Sequence, residues 1–360
     1  MATSGTSRVG IIGYGLAGRV FHAPLVAATP GLELAVIVTG DPERAARARS
    51  DHPDAEVVPD IEALFGRRPP VDLVVVAAPN QAHVPLARRS IAEGIPVVVD
   101  KPLATSARDG RRLVAEADRA GGLLTVFQNR RWDGDFLTVR RLLAEGRLGR
   151  VHRFESRFER WRPALREGSW REDPDPALAG GLLFDLGSHL IDQALVLFGP
   201  AVSVYAEVDR RRTGSAVDDD TFVALTHAGG VRSHLWVGAL VARSGPRVRV
   251  LGDRAGYTRD GMDVQESQLG AGLGPRSPGW GREGAERDGT LGAGPETERV
   301  PTEAGAYEAF YAGVVRALAG DGPVPVDPGD AVTVLEVIEA ARRSSSTGTV
   351  VHLGPDADAD

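Results

Sequence analysis

The chain of 360 residues has no cysteine, two methionines, one lysine and two asparagines. Without cysteine, disulfides, thiolate nucleophiles and zinc–thiolate sites are excluded. No apolar run reaches the roughly 18–20 residues of a membrane span. The first apolar stretch, residues 9–12, is too short for a signal peptide and turns straight into glycines. A formal net charge of −7 argues against a nucleic-acid binder. The run Arg210-Arg211-Arg212 reads as solvated surface in an arginine-heavy chain. The expectation is a soluble, cytoplasmic protein with neither membrane nor nucleic acid as partner. Internal repeats are absent from the sequence.

The scarcity of lysine carries information of its own. Of 42 Lys and Arg residues only Lys101 is lysine. An ammonium is a compact point charge with three donors and a tunable pKa, whereas guanidinium is planar, bulky and permanently charged. A position that keeps lysine under such a bias needs what arginine cannot give. Asn80 and Asn129 are the two asparagines.

The length suits two domains. Over residues 1–125, short apolar runs at 8–12, 32–38, 71–77 and 95–99 alternate with helical stretches at 16–28, 42–50, 60–65, 81–93 and 106–120. The runs are continuous rather than alternating, as in strands buried on both faces. Asp60 and Ser106 fit as N-caps. Strand–helix alternation predicts an α/β domain with a doubly wound parallel sheet. Residues 126–353 read differently: a strand at 150–160, a Pro- and Gly-rich connection, a helix at 181–198, and β-like runs at 201–210, 220–227, 231–240 and 246–251. This predicts an α+β domain with a large open mixed or antiparallel sheet. Residues 270–298 are glycine-dense and aperiodic, a long loop that is either mobile or functional. Helices at 305–319 and 329–343 close the domain, and 354–360 reads as a disordered tail.

Gly13-Tyr14-Gly15-Leu16-Ala17-Gly18 follows the first strand and opens the first helix, the setting in which a G-x-G-x-x-G pattern means dinucleotide binding. Gly13 permits the tight turn, Gly15 the approach of a pyrophosphate and Gly18 close helix–strand packing. The helix N-terminus offers free N–H groups to phosphate. At the end of the second strand, Thr39-Gly40 stand where a carboxylate would hold an adenosine ribose 2′-OH, and Arg44 could meet a 2′-phosphate. NADP(H) is therefore preferred. Asp41 caps the next helix or, alternatively, serves NAD(H).

The strand at 71–77 runs into Ala78-Pro79-Asn80-Gln81-Ala82-His83, and that at 95–99 into Asp100-Lys101-Pro102. Carboxyl ends of parallel strands face the ligand crevice, which places Asn80 and Lys101 near the nicotinamide. Further on, Gly180-Gly181-Leu182-Leu183-Phe184-Asp185-Leu186-Gly187-Ser188-His189-Leu190-Ile191-Asp192 sets Asp185 and His189 four apart, on one face if α-helical. Together these segments resemble the Gfo/Idh/MocA family. Its pattern joins a glycine fingerprint, Pro-Asn-x-x-His, Glu-Lys-Pro and a Gly-Gly helix with Asp and His, with Asp100 here in place of the usual Glu. Phe21-His22-Ala23-Pro24-Leu25, Asn129-Arg130-Arg131-Trp132-Asp133-Gly134-Asp135-Phe136 and Pro278-Gly279-Trp280-Gly281-Arg282-Glu283 resemble the branch of NADP-dependent scyllo-inositol dehydrogenases.

The resemblance implies a Rossmann domain, hydride transfer at a secondary alcohol of a polyol, sugar or inositol-like substrate, and Lys101, Asp185 and His189 as the catalytic group, with no metal. It implies cofactor contacts from Gly13, Tyr14, Gly15, Leu16, Ala17, Thr39, Arg44, Pro79, Asn80, His83, Asp100 and Lys101. Substrate contacts fall to Lys101, Asn129, Asp185 and His189. It also implies a homodimer or homotetramer formed through the exposed face of the second sheet. Several residues carry two readings. Asn129 faces the crevice or holds a turn, His83 holds its loop or touches cofactor, and His22 packs inside the first helix. Arg160-Trp161-Arg162-Pro163 contacts substrate, or Trp161 is structural. Two other functions share the fold: a nicotinamide-binding sensor, and a lyase or glycosidase using transient oxidation.

Overall fold

The computed structural model describes residues 5–166 and 168–354; the expected tail beyond Gly354 lies outside them. The chain forms two compact units, and both are discontinuous. The first comprises Met1–Trp132, Val264–Gly281 and Ala306–Val332, and the second Asp133–Asp263, Arg282–Gly305 and Thr333–Asp360. A single boundary near residue 125 is thus replaced by an interleaved division.

In the first unit, strands β1 (Ser7–Ile12), β2 (Leu32–Val38), β3 (Glu56–Val58), β4 (Leu73–Val76), β5 (Val97–Asp100) and β6 (Leu124–Phe127) pair in the order β3-β2-β1-β4-β5-β6. All pairings are parallel. The order reverses at β1/β4, which opens a crevice at their carboxyl ends. Every residue of β4 is buried, which explains its unbroken valine run. The helices start where their caps dictate. Asp60 accepts from the Ala63 N–H at 2.9 Å and Ser106 Oγ from the Asp109 N–H at 3.1 Å, each cap contributing about 1 kcal/mol. Gly121, at φ +60°, ends helix Ala107–Ala120 in the left-handed conformation.

The later segments of this unit complete its core. Helix Glu308–Leu318 brings Phe310 and Tyr311 against Phe127, with the Phe127 and Phe310 rings 4.9 Å apart edge to face. Trp280 and Tyr307 are buried in the same cluster. Each such side chain contributes about 1.5–3 kcal/mol by leaving water.

The second unit is built on a nine-stranded sheet. Its strands are β7 (Val151–Glu159), β8 (Ala201–Asp209), β9 (Asp220–His227), β10 (Arg232–Gly238), β11 (Val248–Gly252), β12 (Gly256–Arg259), β13 (Gly289–Ala293), β14 (Glu296–Val300) and β15 (Val351–His352). They pair in the order β14-β13-β12-β11-β7-β10-β9-β8-β15, antiparallel except for β10 with β7. Burial alternates strictly along β9, so one face is core and the other open. On the open face Phe222 lies 5.1 Å from Trp236, and Arg157 stacks over Trp236 at 4.0 Å. The opposite face is covered by helix Ser188–Phe198.

Three expectations are corrected. Residues 270–298 are not one loop: helix Gln265–Gly270 ends there, and β13 with β14 forms a hairpin that extends the sheet. The helical stretch Pro176–Phe198 does reach membrane-crossing length and apolarity, because it is a core element, with 67% of its apolar window buried. Arg212 is not solvated surface. It is buried, with Nε donating to Asp219 at 2.9 Å and Nη2 to Glu172 at 2.8 Å.

Candidate functional site

The glycine fingerprint is built as its spacing requires. Gly13 has φ +104°, and a Cβ there would sit 2.5 Å from the Ala77 carbonyl oxygen; one on Gly18 would sit 2.0 Å from that of Gly13. Both positions are forced by close packing of turn, strand and helix. Gly15 faces open space, so the fingerprint leaves room at the point where a pyrophosphate would approach. The helix that follows begins as a π-helical turn, Ala17–His22, and continues as Ala23–Ala28. Leu16 is exposed at its start. Tyr14 turns away: it is buried and its hydroxyl donates to Asp51 at 2.9 Å, which leaves its backbone as the part available to a nucleotide. Burial, aided by Asp51, raises the Tyr14 phenol well above its ordinary value.

At the end of β2, Thr39 is buried and its N–H donates to the Val58 carbonyl at 3.0 Å. Asp41 is the N-cap of helix Pro42–Asp51, accepting from the Arg44 N–H at 2.9 Å. The Arg44 guanidinium is exposed and lies 3.7 Å from Asp41. Asp41 is thereby occupied by the helix it caps, while Arg44 stays within reach of solvent.

Lys101 is half-buried in a turn gripped on both sides. Its own N–H donates to Asp100 Oδ1 at 2.9 Å. Asp100 in turn lies 3.7 Å from Nε2 of His22, whose Nδ1 is 2.6 Å from the Tyr311 hydroxyl. Burial raises the Asp100 carboxyl, but the neighbouring His22, with Lys101 and His83 beside it, outweighs that and holds it below the usual carboxylate range. On the other side, His83 Nδ1 lies 2.7 Å from the Pro102 carbonyl oxygen and Nε2 2.8 Å from that of Ala78. Burial lowers the His83 pKa, against the pull of Asp100 and of the two carbonyl oxygens, and a neutral ring donates to only one of these. His83 therefore ties the ends of β4 and β5 together. Pro79 precedes the short helical turn Asn80–Ala82, in which Asn80 is buried. Asn129 is also buried and opens the turn Asn129–Trp132, within the first unit rather than at the start of the second.

Asp185 and His189 belong to the second unit. They sit on a helix that begins with a π-helical turn, Leu183–Gly187, rather than a uniform α-helix. His189 is buried and Asp185 partly exposed, its Oδ1 3.5 Å from Nε of Arg171. Asp218 fixes the start of this helix: its carboxylate accepts from the Leu183 N–H at 2.6 Å and its carbonyl from the Leu182 N–H at 2.9 Å. Gly181, at φ +94°, is required beside it, because a Cβ there would fall 2.1 Å from Asp218 Oδ1. Burial raises the Asp218 carboxyl, and neither the Leu183 N–H nor Arg342 at 3.6 Å cancels that. Nothing local in the sequence marked Asp218, which acts across 35 residues.

Asp185 lines a cavity of about 440 Å³ that lies within the second unit. Arg160, Arg162 and Pro163 line it, whereas the exposed Trp161 bridges to Leu240 instead. Arg171 also lines the cavity, stacked over Trp170 at 4.3 Å.

Comparison with known proteins covers both halves of the chain. Residues 7–128 match the Gfo/Idh/MocA model of an oxidoreductase family, NAD-binding Rossmann fold, and residues 140–353 match that of its C-terminal alpha/beta domain. The oxidoreductase YdgJ of Escherichia coli is 42% identical over 94% of this chain and 96% of its own. The scyllo-inositol 2-dehydrogenase (NADP(+)) IolW of Bacillus subtilis is 36% identical over 97% of this chain and 96% of its own. Among solved structures, the oxidoreductase yvaA of Bacillus subtilis superposes with a TM-score of 0.91 at 34% identity, covering 98% of this chain and 99% of that one.

Proposed function

Since the chain belongs to the Gfo/Idh/MocA family of NAD(P)-dependent oxidoreductases, we propose that it is an NADP(H)-preferring dehydrogenase of a polyol, sugar or inositol-like substrate. The observation that carries this reading is the single lysine, kept at the carboxyl end of β5 and held there by Asp100 on one side and His83 on the other. A bound nicotinamide would supply hydride-transfer chemistry at a secondary alcohol carbon. Gly13, Gly15, Leu16 and Ala17 would hold its pyrophosphate through backbone N–H groups. Thr39 and Arg44 would receive the adenosine ribose and its 2′-phosphate, with NAD(H) accepted less well.

The chain's own residues then handle the proton. His189 takes the hydroxyl proton in oxidation and returns it in reduction, work suited to an imidazole with a pKa near neutrality. Lys101 polarises the reacting oxygen with a point charge, and Asp185 orients a neighbouring hydroxyl or the imidazole. Asn80 and Asn129 support the cofactor and substrate from the first unit. The protein works in the cytoplasm, as a homodimer or homotetramer associated through the open face around Phe222 and Trp236. The test is absorbance at the reduced-nicotinamide band with a panel of inositols and aldoses, run with NADP and NAD in parallel. Tight cofactor binding without turnover of any polyol would sink the reading.

A further inference from the structure

The cavity beside Asp185 holds more positive charge than a neutral polyol would use. Five arginines line it against three carboxylates, Glu172, Asp185 and Asp218, in a chain whose formal net charge is −7. Pairing the groups off sharpens the imbalance. Arg212 is matched by Glu172 and Asp219, at 2.8 and 2.9 Å. Arg171 is matched by Asp185, and Asp218 is engaged by the Leu183 N–H and Arg342. Arg160 stacks over the Phe158 ring at 4.6 Å. Arg162 and Arg166 are left, and among the described residues neither has a carboxylate within 4.0 Å.

Arg162 and Arg166 line a concavity together with Leu182, Leu186 and Val217, and with no carboxylate of the described residues within 4.0 Å of either, they form a site for an anion. The guanidinium fork fits carboxylate and phosphoryl oxygens in two-point contact. The volume lies within the roughly 300–1,000 Å³ of small-molecule sites. We infer that this cavity receives the anionic end of the substrate, a polyhydroxy compound bearing a carboxylate or a phosphoryl group, held by Arg162 and Arg166 while Asp185 meets its hydroxyls. For the reaction this rests on the dehydrogenase reading; for binding it stands on the cavity alone.

The test uses the full-length protein loaded with NADPH and two matched pairs of probes: gluconate against glucitol, and glucose 6-phosphate against glucose. Calorimetry gives the affinities, and the same probes are offered with NADP for turnover. At least one anion should bind on the order of 10-fold more tightly than its neutral partner, with the advantage shrinking as salt rises. Whichever pair shows the advantage distinguishes carboxylate from phosphoryl. An Arg162→Gln/Arg166→Gln double variant should lose that advantage and keep its NADPH affinity and thermal midpoint, both residues being exposed. Equal binding of anion and neutral partner in both pairs overturns the inference, as does a double variant that keeps the preference. Binding through these arginines without any hydride transfer would uphold the anion site and fell the dehydrogenase reading. Turnover of neutral polyols with no preference for anions would do the reverse.

Discussion

Asp100 and Asp218 each brace a candidate catalytic segment from beneath, yet their surroundings drive them in opposite directions. Asp100 receives the Lys101 N–H and faces His22, so it stays ionised despite its burial. Asp218 receives the Leu183 N–H, with a half-exposed Arg342 at 3.6 Å as its cation, and burial prevails. The difference shows what keeps a buried carboxylate charged. Backbone donors satisfy an oxygen in both, but Asp100 has His22, Lys101 and His83 around it, whereas Asp218 has one half-exposed guanidinium and the like charge of Asp219. The Lys101 turn is thus held by charge, and the Asp185 helix by hydrogen-bond geometry.

The largest effects should come from the groups these carboxylates position. Lys101→Arg should lower kcat on the order of 10²–10³-fold, because the fork cannot replace a point charge in the same turn. His189→Ala should lower it on the order of 10²–10⁴-fold. Steady-state assays at the reduced-nicotinamide band check both, beside an unchanged NADPH affinity for the His189 variant; near-full turnover of Lys101→Arg refutes the assigned role. Next in size, Gly181→Ala should cost about 1–3 kcal/mol of stability, since φ +94° and the Asp218 oxygen both oppose a Cβ. Thermal or urea unfolding reads this directly, and a silent substitution would break the geometric account of Asp218.

The pair Asp100→Asn and Asp218→Asn sharpens the comparison itself. The folded pKa of Asp100 is depressed, so its contribution is present above the unfolded value of about 3.9 and is lost as pH falls through the folded one. Asp100→Asn should therefore be less stable than the parent at pH 7, with the gap closing in acid. The folded pKa of Asp218 is raised, so its contribution is full below about 3.9 and is lost as pH rises through the folded value. Asp218→Asn, which keeps an oxygen for the Leu183 N–H, should match or exceed the parent at pH 7. Unfolding curves of the three proteins across pH decide this, and two gaps of the same sign would end the contrast. The smallest effect is expected at the surface: Arg44→Ala should weaken NADPH by a few-fold while sparing NADH, measured as the ratio of the two dissociation constants.

The parallel sheet was legible because the central residues of β1, β2, β4 and β5 are buried and carry apolar runs, Val9–Ile12 and Leu34–Val38 among them. β3 was not, being three residues long and opening on an exposed Glu56, nor was β6, whose apolar run is interrupted by Thr125, a buried hydroxyl that donates to the Val326 carbonyl. The fingerprint glycines and the caps Asp41, Asp60 and Ser106 act on neighbours in sequence, and their chemistry could be read locally. The partners that give His22 and the Asp185 helix their settings, Tyr311 and Asp218, lie 289 and 35 residues away from His22 and Leu183. No local pattern announces such contacts. The hairpin β13–β14 escaped notice because Gly289 and Gly292 interrupt its alternation; Cβ atoms there would strike Tyr257 and the β14 backbone. The π-helical turn at Leu183–Gly187 was invisible for another reason: a four-residue spacing looks the same in sequence whether the turn is wide or narrow.

The interleaving of the two units has a consequence for anyone who would recombine this chain with a relative. The polypeptide passes between them five times, after residues 132, 263, 281, 305 and 332. A chimera joined once near residue 128 would inherit the whole parallel sheet and every fingerprint glycine. It would leave behind Trp280, Tyr307, Phe310 and Tyr311, and His22 would face a foreign neighbour where its hydroxyl partner stood. Inheritance in this protein therefore travels by spatial unit rather than by stretch of gene, and a graft that respects the nucleotide fold must carry three separate pieces of sequence.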